Sequence, residues 1–431
     1  GDVGHQAPVW DYSFMNDPAK SLDFGGRGGH VTAVATQQIT KRYYGTDKLF
    51  RYQSGCSGGG RMAALSMAQY PEDYDGALAG GQVFSPAFDG EVFFSFILMA
   101  QELAREPGAF VTPAKFAMAD RNVTAQCDHL DGVKDGIVTE TAKCLAAVDF
   151  SRFTCAPGRD DADCLTNAEL KTIRSILRGP QGKDGPLAPG WPVSHMSTWT
   201  MYTGSKPPPW PTVAEARKMP PEQSFEAIPA GYNLAATIAE SYFGPGFNAL
   251  TDFDFKDPKR IEAWRAAARR TGYGLPRQTD HSGLAKTGGK VIFWSGLSDP
   301  AALASTQIGY YEAAAKSVGG LEQFSKFARL YLTPGNGHCG GGAGPADSSD
   351  VLLEALIDWV ELGKAPEGVV AHRGGKAVSV FAEAEGRNTS NVSVPLPQGG
   401  DREFLLCPYP QTAVLRDERD PVELASSWAC R

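Results

Sequence analysis

The sequence predicts an α/β fold, with a mostly parallel sheet covered by helices. Strand candidates alternate with helical segments in two separate blocks of the chain, and one block holds a glycine-rich turn between a strand and a helix. Such alternation is typical of parallel sheets buried on both faces. At roughly 150 residues per domain, a chain of 431 residues also has room for an inserted domain.

The first block begins with a predicted helix at Gly29–Tyr44. A short strand candidate at Leu49–Gln53 follows, and then the turn Gly55–Gly60. Arg61–Tyr70 is rich in helix formers, and Gly76–Val83 is a candidate buried strand. This order predicts a strand, a tight turn, a helix and a second strand.

The second block repeats the pattern near the end of the chain. Strands are predicted at Lys290–Ser295 and Phe327–Thr333, and helices near Thr306–Ser317 and at Asp350–Gly363. Between the blocks the chain is rich in proline and tryptophan and shows no sustained period. We therefore predict an α/β domain formed by residues 1–85 and 287–431, interrupted by an inserted domain at residues 86–286.

Charge and hydropathy exclude several classes of partner. The chain has 41 Lys and Arg against 49 Asp and Glu, giving a net charge of −8 and no basic excess to attract nucleic acid or an anionic membrane. Its longest apolar stretch, near Val92–Ala100, is far shorter than the roughly 20 residues needed to span a bilayer. We expect neither nucleic acid nor a membrane as a partner.

The cysteines indicate an oxidising compartment. There are 8, with no C-x-x-C zinc spacing, and an even number in this arrangement favours disulfides. The pairs Cys127–Cys144, Cys155–Cys164 and Cys407–Cys430 follow naturally from proximity in sequence, although spacing leaves other connectivities open. We expect a secreted or periplasmic protein.

A catalytic serine is predicted at the glycine-rich turn. Residues 55–59, Gly-Cys-Ser-Gly-Gly, fit the G-x-S-x-G pattern, whose glycines allow a strained turn that presents a serine at a helix N-terminus. The pattern also arises by chance in a chain with 49 glycines. Its position between a strand and a helix favours Ser57 as a nucleophile.

An orienting carboxylate and a base follow in the chain order usual for this arrangement. Asp299 comes directly after the strand Lys290–Ser295, and His338 lies in a glycine-rich loop after Phe327–Thr333. The alternatives are that Asp299 caps the following helix and that His338 is an ordinary loop histidine. If Ser57 and His338 meet, their neighbours Cys56 and Cys339 must lie close together as well.

These motifs resemble the tannase and feruloyl esterase family. The resemblance extends through Gly55–Gly81, Gly296–Pro300, Pro334–Gly342, Leu352–Pro366 and Leu406–Pro410. It implies an α/β-hydrolase core, a large lid over the active site and esterase activity towards esters of aromatic acids. It also implies Ser57 as nucleophile, Asp299 as orienter, His338 as general base, the Gly58 N–H as an oxyanion donor and a Cys56–Cys339 disulfide beside the triad.

A metal site is predicted in the inserted domain. Three carboxylates fall within eight residues, from Asp128 to Asp135, among glycines that let carbonyls turn inward; oxygen donors of this kind suit calcium. The alternative is an acidic solvated turn. The family resemblance implies a structural calcium ion held by the side chains of Asp128, Asp131 and Asp135 and the carbonyls of Val133 and Ile137. No organic cofactor is expected.

The front of the chain departs from the family pattern. Relatives carry several strands and a glycine-rich oxyanion loop before the nucleophile strand, whereas 56 residues precede Ser57 here. We expect either an additional N-terminal polypeptide of the same precursor or a sequence that is a fragment.

We predict a serine esterase that hydrolyses small esters of phenolic acids through an acyl-enzyme. The alternatives are a hydrolase of other small or polymer-derived esters, such as terephthalate monoesters, and a catalytically silent esterase-like binding protein.

Overall fold

The computed structural model describes residues 5–6, 11–82, 91–220, 223, 227–270, 279–374 and 401–431. The chain divides into two compact units. The helical unit comprises residues 1–25, 84–130 and 140–275, and the sheet unit comprises residues 26–83, 131–139 and 276–431. The segments 1–25, 131–139 and 276–286 thus group differently from the division expected at residues 86–286, whose first boundary lies outside the described residues.

The sheet unit is built on a four-stranded sheet. Its strands are β1 (Tyr52–Cys56), β2 (Gly76–Gly80), β3 (Lys290–Gly296) and β4 (Ala328–Thr333), which lie side by side in that order. Every neighbouring pair is parallel, so the predicted α/β fold with a mostly parallel sheet is confirmed. The carboxyl ends of all four strands therefore lie along the same edge, where α/β proteins place their ligands.

Among its described residues the sheet unit also has shorter strands: β5 (Asn336–Gly337), β6 (Gly340–Gly342), β7 (Val369–Arg373), β8 (Arg402–Leu406), β9 (Ala413–Leu415) and β10 (Trp428–Cys430). The α-helices of the described segments are α1 (Pro18–Leu22), α2 (Gly28–Tyr44), α3 (Gly58–Gln69), α4 (Glu91–Leu103), α5 (Pro113–Cys127), α6 (Thr141–Ala147), α7 (Asn167–Arg178), α8 (Thr200–Thr203), α9 (Val213–Ala216), α10 (Ala230–Phe243), α11 (Pro258–Arg270), α12 (Ser282–Thr287), α13 (Ala304–Lys316), α14 (Leu321–Phe324) and α15 (Ser348–Leu362).

Strand β3 shows why the sheet is stable. Ile292 and Trp294 belong to a buried cluster with Leu352 and Trp359 of α15. Phe293 points the other way and contacts the aromatic rings of Tyr310, Tyr311 and Phe324. A strand covered on both faces buries every side chain, which explains the uninterrupted apolar run in its sequence.

The glycine-rich turn is tighter than the sequence predicts. Strand β1 was expected at Leu49–Gln53, but it continues to Cys56 because Cys56 still pairs with Gly80 of β2. Helix α3 begins at Gly58 rather than at Arg61. Ser57 alone therefore separates strand from helix.

The sequence of the inserted region shows no sustained period, yet the helical unit contains regular helices. Among its described residues they reach 15 residues in α5. Helices α4 and α10 are buried around most of their circumference, so neither has the one-sided apolar stripe by which a surface helix is found. Helix α7 does have such a stripe, together with a capping box at Thr166 and Glu169.

Strand β1 forms the edge of the sheet within the described residues. Nearby in sequence, α2 exposes Ile39 (69%) and Tyr43 (80%) to solvent. The additional N-terminal polypeptide stays a prediction. In the part of the chain that the structure describes, we find no helix that is both long and apolar enough to cross a membrane.

Candidate active site

Ser57 occupies a strained turn at the carboxyl end of β1. Its φ is 60°, in the left-handed region that residues other than glycine rarely adopt. The Ser57 amide donates to the Gly80 carbonyl at 2.9 Å, and the Ser57 carbonyl accepts from the Arg61 amide at 2.9 Å. These bonds hold the residue between sheet and helix, which is the geometry of a nucleophile elbow.

Two glycines allow this close approach. A Cβ on Gly60 would lie 2.0 Å from the carbonyl oxygen of Gly80, and one on Gly55 would lie 2.6 Å from the carbonyl carbon of Gly59. Both contacts involve backbone atoms, which cannot rotate away as a side chain would. Of the two glycines in G-x-S-x-G, Gly55 therefore has a steric reason, whereas a Cβ on Gly59 would meet no atom within 4 Å. Gly60, which follows the motif, is required by the close approach of α3 to β2.

Asp299 follows β3 and is 1% exposed. Its Oδ1 accepts hydrogen bonds from the amides of Ala301 and Ala302, both at 2.8 Å. Its Oδ2 lies 2.9 Å from Nδ1 of His338. The carboxylate thus bonds the backbone ahead of α13, as the capping alternative supposed, and also contacts the histidine.

His338 lies in the loop after β4, and its side chain is buried. The next residue, Cys339, is bridged to Cys56 with Cα atoms 5.8 Å apart, so the predicted disulfide is confirmed. This bridge brings the residue before Ser57 next to the residue after His338. Among the described atoms, no hydrogen bond joins Ser57 Oγ to the histidine ring; such bonds are often long in free enzymes and tighten when substrate binds.

The histidine loop is held by two residues that sequence analysis missed. The Asn336 side-chain amide donates to the carbonyls of Gly341 and Pro345. The buried Arg373 donates to the carbonyls of Gly342 at 2.8 Å and Gly344 at 2.7 Å. Asn336 stands in the quoted motif and could have been found, whereas nothing in sequence connects β7 to this loop.

Burial and, to a lesser extent, the neighbouring Arg402 lower the pKa of Arg373. Keeping a charged guanidinium there therefore has an energetic cost, which its hydrogen bonds to the loop carbonyls offset. This cost points to a positional role for the side chain.

Gly58 is the first residue of α3. The first amides of a helix have no acceptor within the helix and carry the positive end of its dipole. The Gly58 N–H directly follows Ser57, as an oxyanion donor must.

Two of the predicted calcium ligands, Asp131 and Asp135, are engaged by other groups. Asp131 accepts from the Val133 amide at 3.0 Å and from the Thr139 hydroxyl at 2.6 Å. Asp135 accepts from the Ile137 amide at 2.9 Å and pairs with Arg402. All five predicted donors are oxygens, so they fit calcium in kind, but Asp128, Asp131 and Asp135 are not gathered into a ligand group in the described structure.

One described group of metal-ligating side chains has its ligand atoms within 4.8 Å of one another, namely Asp161, Asp163 and Cys164. Cys164 is bonded to Cys155, and both carboxylates pair with Arg159. These contacts explain the cluster without a metal.

The other predicted cysteine pairs are confirmed. Cys127–Cys144, Cys155–Cys164 and Cys407–Cys430 are all bridged, with Cα separations of 5.3, 4.9 and 5.4 Å.

Comparison with solved structures shows the same fold in fungal esterases. A crystal structure of an esterase from Aspergillus oryzae superposes with a TM-score of 0.75 and 22% identity, covering 100% of this chain and 78% of that one. Feruloyl esterase B from the same organism gives a TM-score of 0.73 with 21% identity, covering 97% of this chain and 76% of that one.

Curated proteins of similar sequence carry the name of the same kind of enzyme. The chain is 30% identical over 384 residues to a probable feruloyl esterase B-2 of Aspergillus terreus, covering 83% of this chain and 64% of the relative. It is 30% identical over 400 residues to a probable feruloyl esterase B of Aspergillus clavatus, covering 86% of this chain and 66% of that relative. The chain thus spans about two thirds of these relatives' length. The family model for tannase and feruloyl esterase matches residues 1–431, and the chain belongs to that family.

Proposed function

We propose that this protein is a serine esterase acting through Ser57, His338 and Asp299. The observation that carries the proposal is the arrangement around His338. Its Nδ1 lies 2.9 Å from Asp299, while the disulfide through the next residue ties it to the turn that presents Ser57. A strained serine, a histidine and a buried carboxylate at the carboxyl ends of three parallel strands are the parts that acyl transfer needs.

In this mechanism His338 Nε2 takes the proton from Ser57 Oγ as the oxygen attacks the ester carbonyl carbon. The Gly58 N–H donates to the resulting oxyanion. His338 then protonates the leaving alcohol, and an acyl-enzyme remains. Water, deprotonated by the same nitrogen, attacks the acyl carbon; the bond from that carbon to Ser57 Oγ then breaks, Oγ takes the proton back from Nε2, and the acid leaves. Asp299 keeps the proton on Nδ1 throughout.

The proposed substrates are small esters of phenolic acids. Family membership and relatives named feruloyl esterase support this class. Measuring kcat/KM on hydroxycinnamate, gallate and terephthalate monoesters, with an aliphatic ester for reference, tests it. A preference for the aliphatic ester would contradict it, and a preference for the terephthalate monoester would favour the second substrate class.

Labelling with a fluorophosphonate separates an esterase from a silent binding protein. We expect one adduct per chain, located by peptide mass at Ser57, and none in Ser57→Ala. An intact protein that neither reacts nor hydrolyses any ester would be a binding protein.

A structural calcium ion in the segment 128–137 is also proposed, held by Asp128, Asp131, Asp135 and the carbonyls of Val133 and Ile137. The oxygen donors and the family resemblance support it. Calcium would neutralise and cross-link the carboxylates there. Elemental analysis should find about one calcium per chain, and chelation should lower the melting temperature. Asp131→Asn should abolish that response, whereas the matched Asp161→Asn should not; no calcium and no response would refute the site.

We also propose that the protein is exported from the cytoplasm. Its four disulfides support this, because disulfides persist in oxidising compartments. Cell fractionation of the source organism should find the active protein outside the cytoplasm.

A further inference from the structure

Helix α7 in the helical unit carries a row of polar and cationic side chains that the esterase mechanism does not use. Asn167, Lys171, Arg174 and Arg178 are spaced by four, three and four residues, which places them on one face of a helix. All four are exposed to solvent. The cationic part of this row, from Lys171 to Arg178, spans about 10 Å at roughly 1.5 Å per residue.

This row borders a surface cavity of about 350 Å³. The cavity is lined by these four residues and by Leu170, Ser175 and Glu102. Leu170 and the alkyl stems of the cations supply apolar contact, and Asn167 offers a carboxamide. A cavity of this volume accommodates a small molecule or a segment of a polymer.

The three cations have no acidic partner among the described side chains, in contrast to other cations of the same unit. Lys143 pairs with Glu140, and Arg159 pairs with Asp163. The cavity's own carboxylate, Glu102, is engaged by Arg105 and by the hydroxyl of Ser175. The α7 row therefore keeps its positive charge in a chain whose net charge is −8.

The shape and chemistry of the row indicate its ligand. Three cations in a line on an exposed face match repeated negative charges along a chain better than a single anion. Single-stranded nucleic acids need aromatic side chains on which bases stack, and the residues that line the cavity include none. An apolar floor with hydrogen-bonding groups suits sugar rings.

We propose that the α7 row binds an anionic polysaccharide through the carboxylates of its uronic acid units. Each carboxylate would pair with one of Lys171, Arg174 and Arg178, while Leu170 contacts the apolar face of a sugar ring. This surface is independent of the proposed catalytic residues, and it would retain the protein on a carboxylated polymer rather than participate in ester cleavage.

Polygalacturonate is the probe for this proposal. Its affinity for the full chain is measured by affinity electrophoresis and calorimetry in low salt, alongside fully methyl-esterified polygalacturonate and single-stranded DNA. The triple variant Lys171→Gln, Arg174→Gln, Arg178→Gln is compared with Lys143→Gln, Arg152→Gln, Arg159→Gln, which removes the same charge elsewhere in the unit. Melting temperature and kcat/KM on a small soluble ester are measured for each.

We expect binding to polygalacturonate that weakens with salt, little binding to the esterified polymer, and about a tenfold loss in the α7 variant, from three exposed ion pairs. The control variant should lose less than twofold, and both should keep ester turnover. No binding by the native chain, an equal loss in both variants, or equally tight binding of DNA would overturn the proposal. Because turnover is read separately, failure of this site and failure of the proposed esterase function are distinguishable.

Discussion

Asp299 and His338 are joined by a hydrogen bond of 2.9 Å between Oδ2 and Nδ1, while the other carboxylate oxygen accepts two backbone amides. The two oxygens therefore have separate roles. Oδ1 fixes the side chain on the backbone, and Oδ2 selects the protonated Nδ1 tautomer of the histidine, which leaves Nε2 free of its proton and able to act as a base.

Asp299→Asn tests this division. The amide oxygen of the variant can keep both backbone bonds, but its NH2 group would face Nδ1 and favour the wrong tautomer. We expect kcat to fall about 10⁴-fold with a melting temperature close to that of the native protein. Steady-state kinetics and thermal unfolding measure both, and a variant with more than a tenth of native activity would exclude Asp299 as the orienter.

Ser57→Ala should remove turnover, with a loss of several orders of magnitude. Its fold should persist with a melting temperature close to that of the native protein, because alanine keeps the Cβ of serine and leaves the strained turn at φ of 60° unchanged. His338→Ala should lose a similar factor, and the double variant should be no worse than either alone. Additive losses in a kinetic cycle would mean that the two residues do not act as one unit.

Breaking the Cys56–Cys339 bridge should cost activity before it costs the fold. The bridge connects residues 283 apart in sequence and ties the serine turn to the histidine loop. We expect Cys56→Ser/Cys339→Ser to lose activity at temperatures where circular dichroism still shows native structure. The matched control, Cys155→Ser/Cys164→Ser, opens a bridge of separation 9 in the helical unit and should retain activity, so equal losses would contradict the positional role.

The buried side chain of His281 should make the protein less stable in acid. Burial lowers the pKa of this histidine from 6.5 to about 4, and Nε2 contacts the Tyr310 hydroxyl at 3.0 Å. Below about pH 6.5, His281 binds a proton in the unfolded chain but stays neutral in the folded chain. The stabilisation is therefore complete above pH 6.5 and is lost as pH falls towards 4, at up to about 1.4 kcal/mol per pH unit.

Urea unfolding between pH 7 and 4.5 measures this slope. His281→Gln should be less stable than the native protein at pH 7. Its free energy of unfolding should fall less steeply as the pH is lowered, because up to one proton fewer is bound on unfolding. The exposed His129→Gln serves as control and should keep the native slope. Parallel curves for the native protein and His281→Gln would exclude the assignment.

Arg373 is expected to act as a positioning residue for His338. Arg373→Met removes both hydrogen bonds to the loop carbonyls, and a small displacement of a catalytic group lowers the rate by as much as about 10²-fold. We expect kcat to fall by about 10 to 100-fold while KM changes little. The control variant Arg329→Met removes hydrogen bonds to the carbonyls of Ala328 and Pro366 and should leave kcat unchanged. If Arg373→Met raised KM and left kcat unchanged, Arg373 would not be a positioning residue for His338.

Much of the site could be predicted from sequence because its signals are local. Gly55 and Gly60 are required by backbone contacts within the turn and with the adjacent strand, so they appear close to Ser57 in sequence. Asp299 and His338 each follow a strand that is recognisable from its apolar run. The three cysteine pairs close in sequence could be assigned by proximity.

What the sequence alone determined was therefore the succession of strands and helices along the chain in the two blocks, the site residues as candidates and the class of chemistry, since each depends on a few consecutive residues. Tertiary structure decided the rest. Side chains that are distant in sequence and meet in the fold produce the double role of Asp299 and the support of the histidine loop by Arg373. They also determine that the cations on α7 have no acidic partner among the described side chains. The buried helices of the helical unit were missed because burial on all sides removes the periodic contrast from which a helix is predicted.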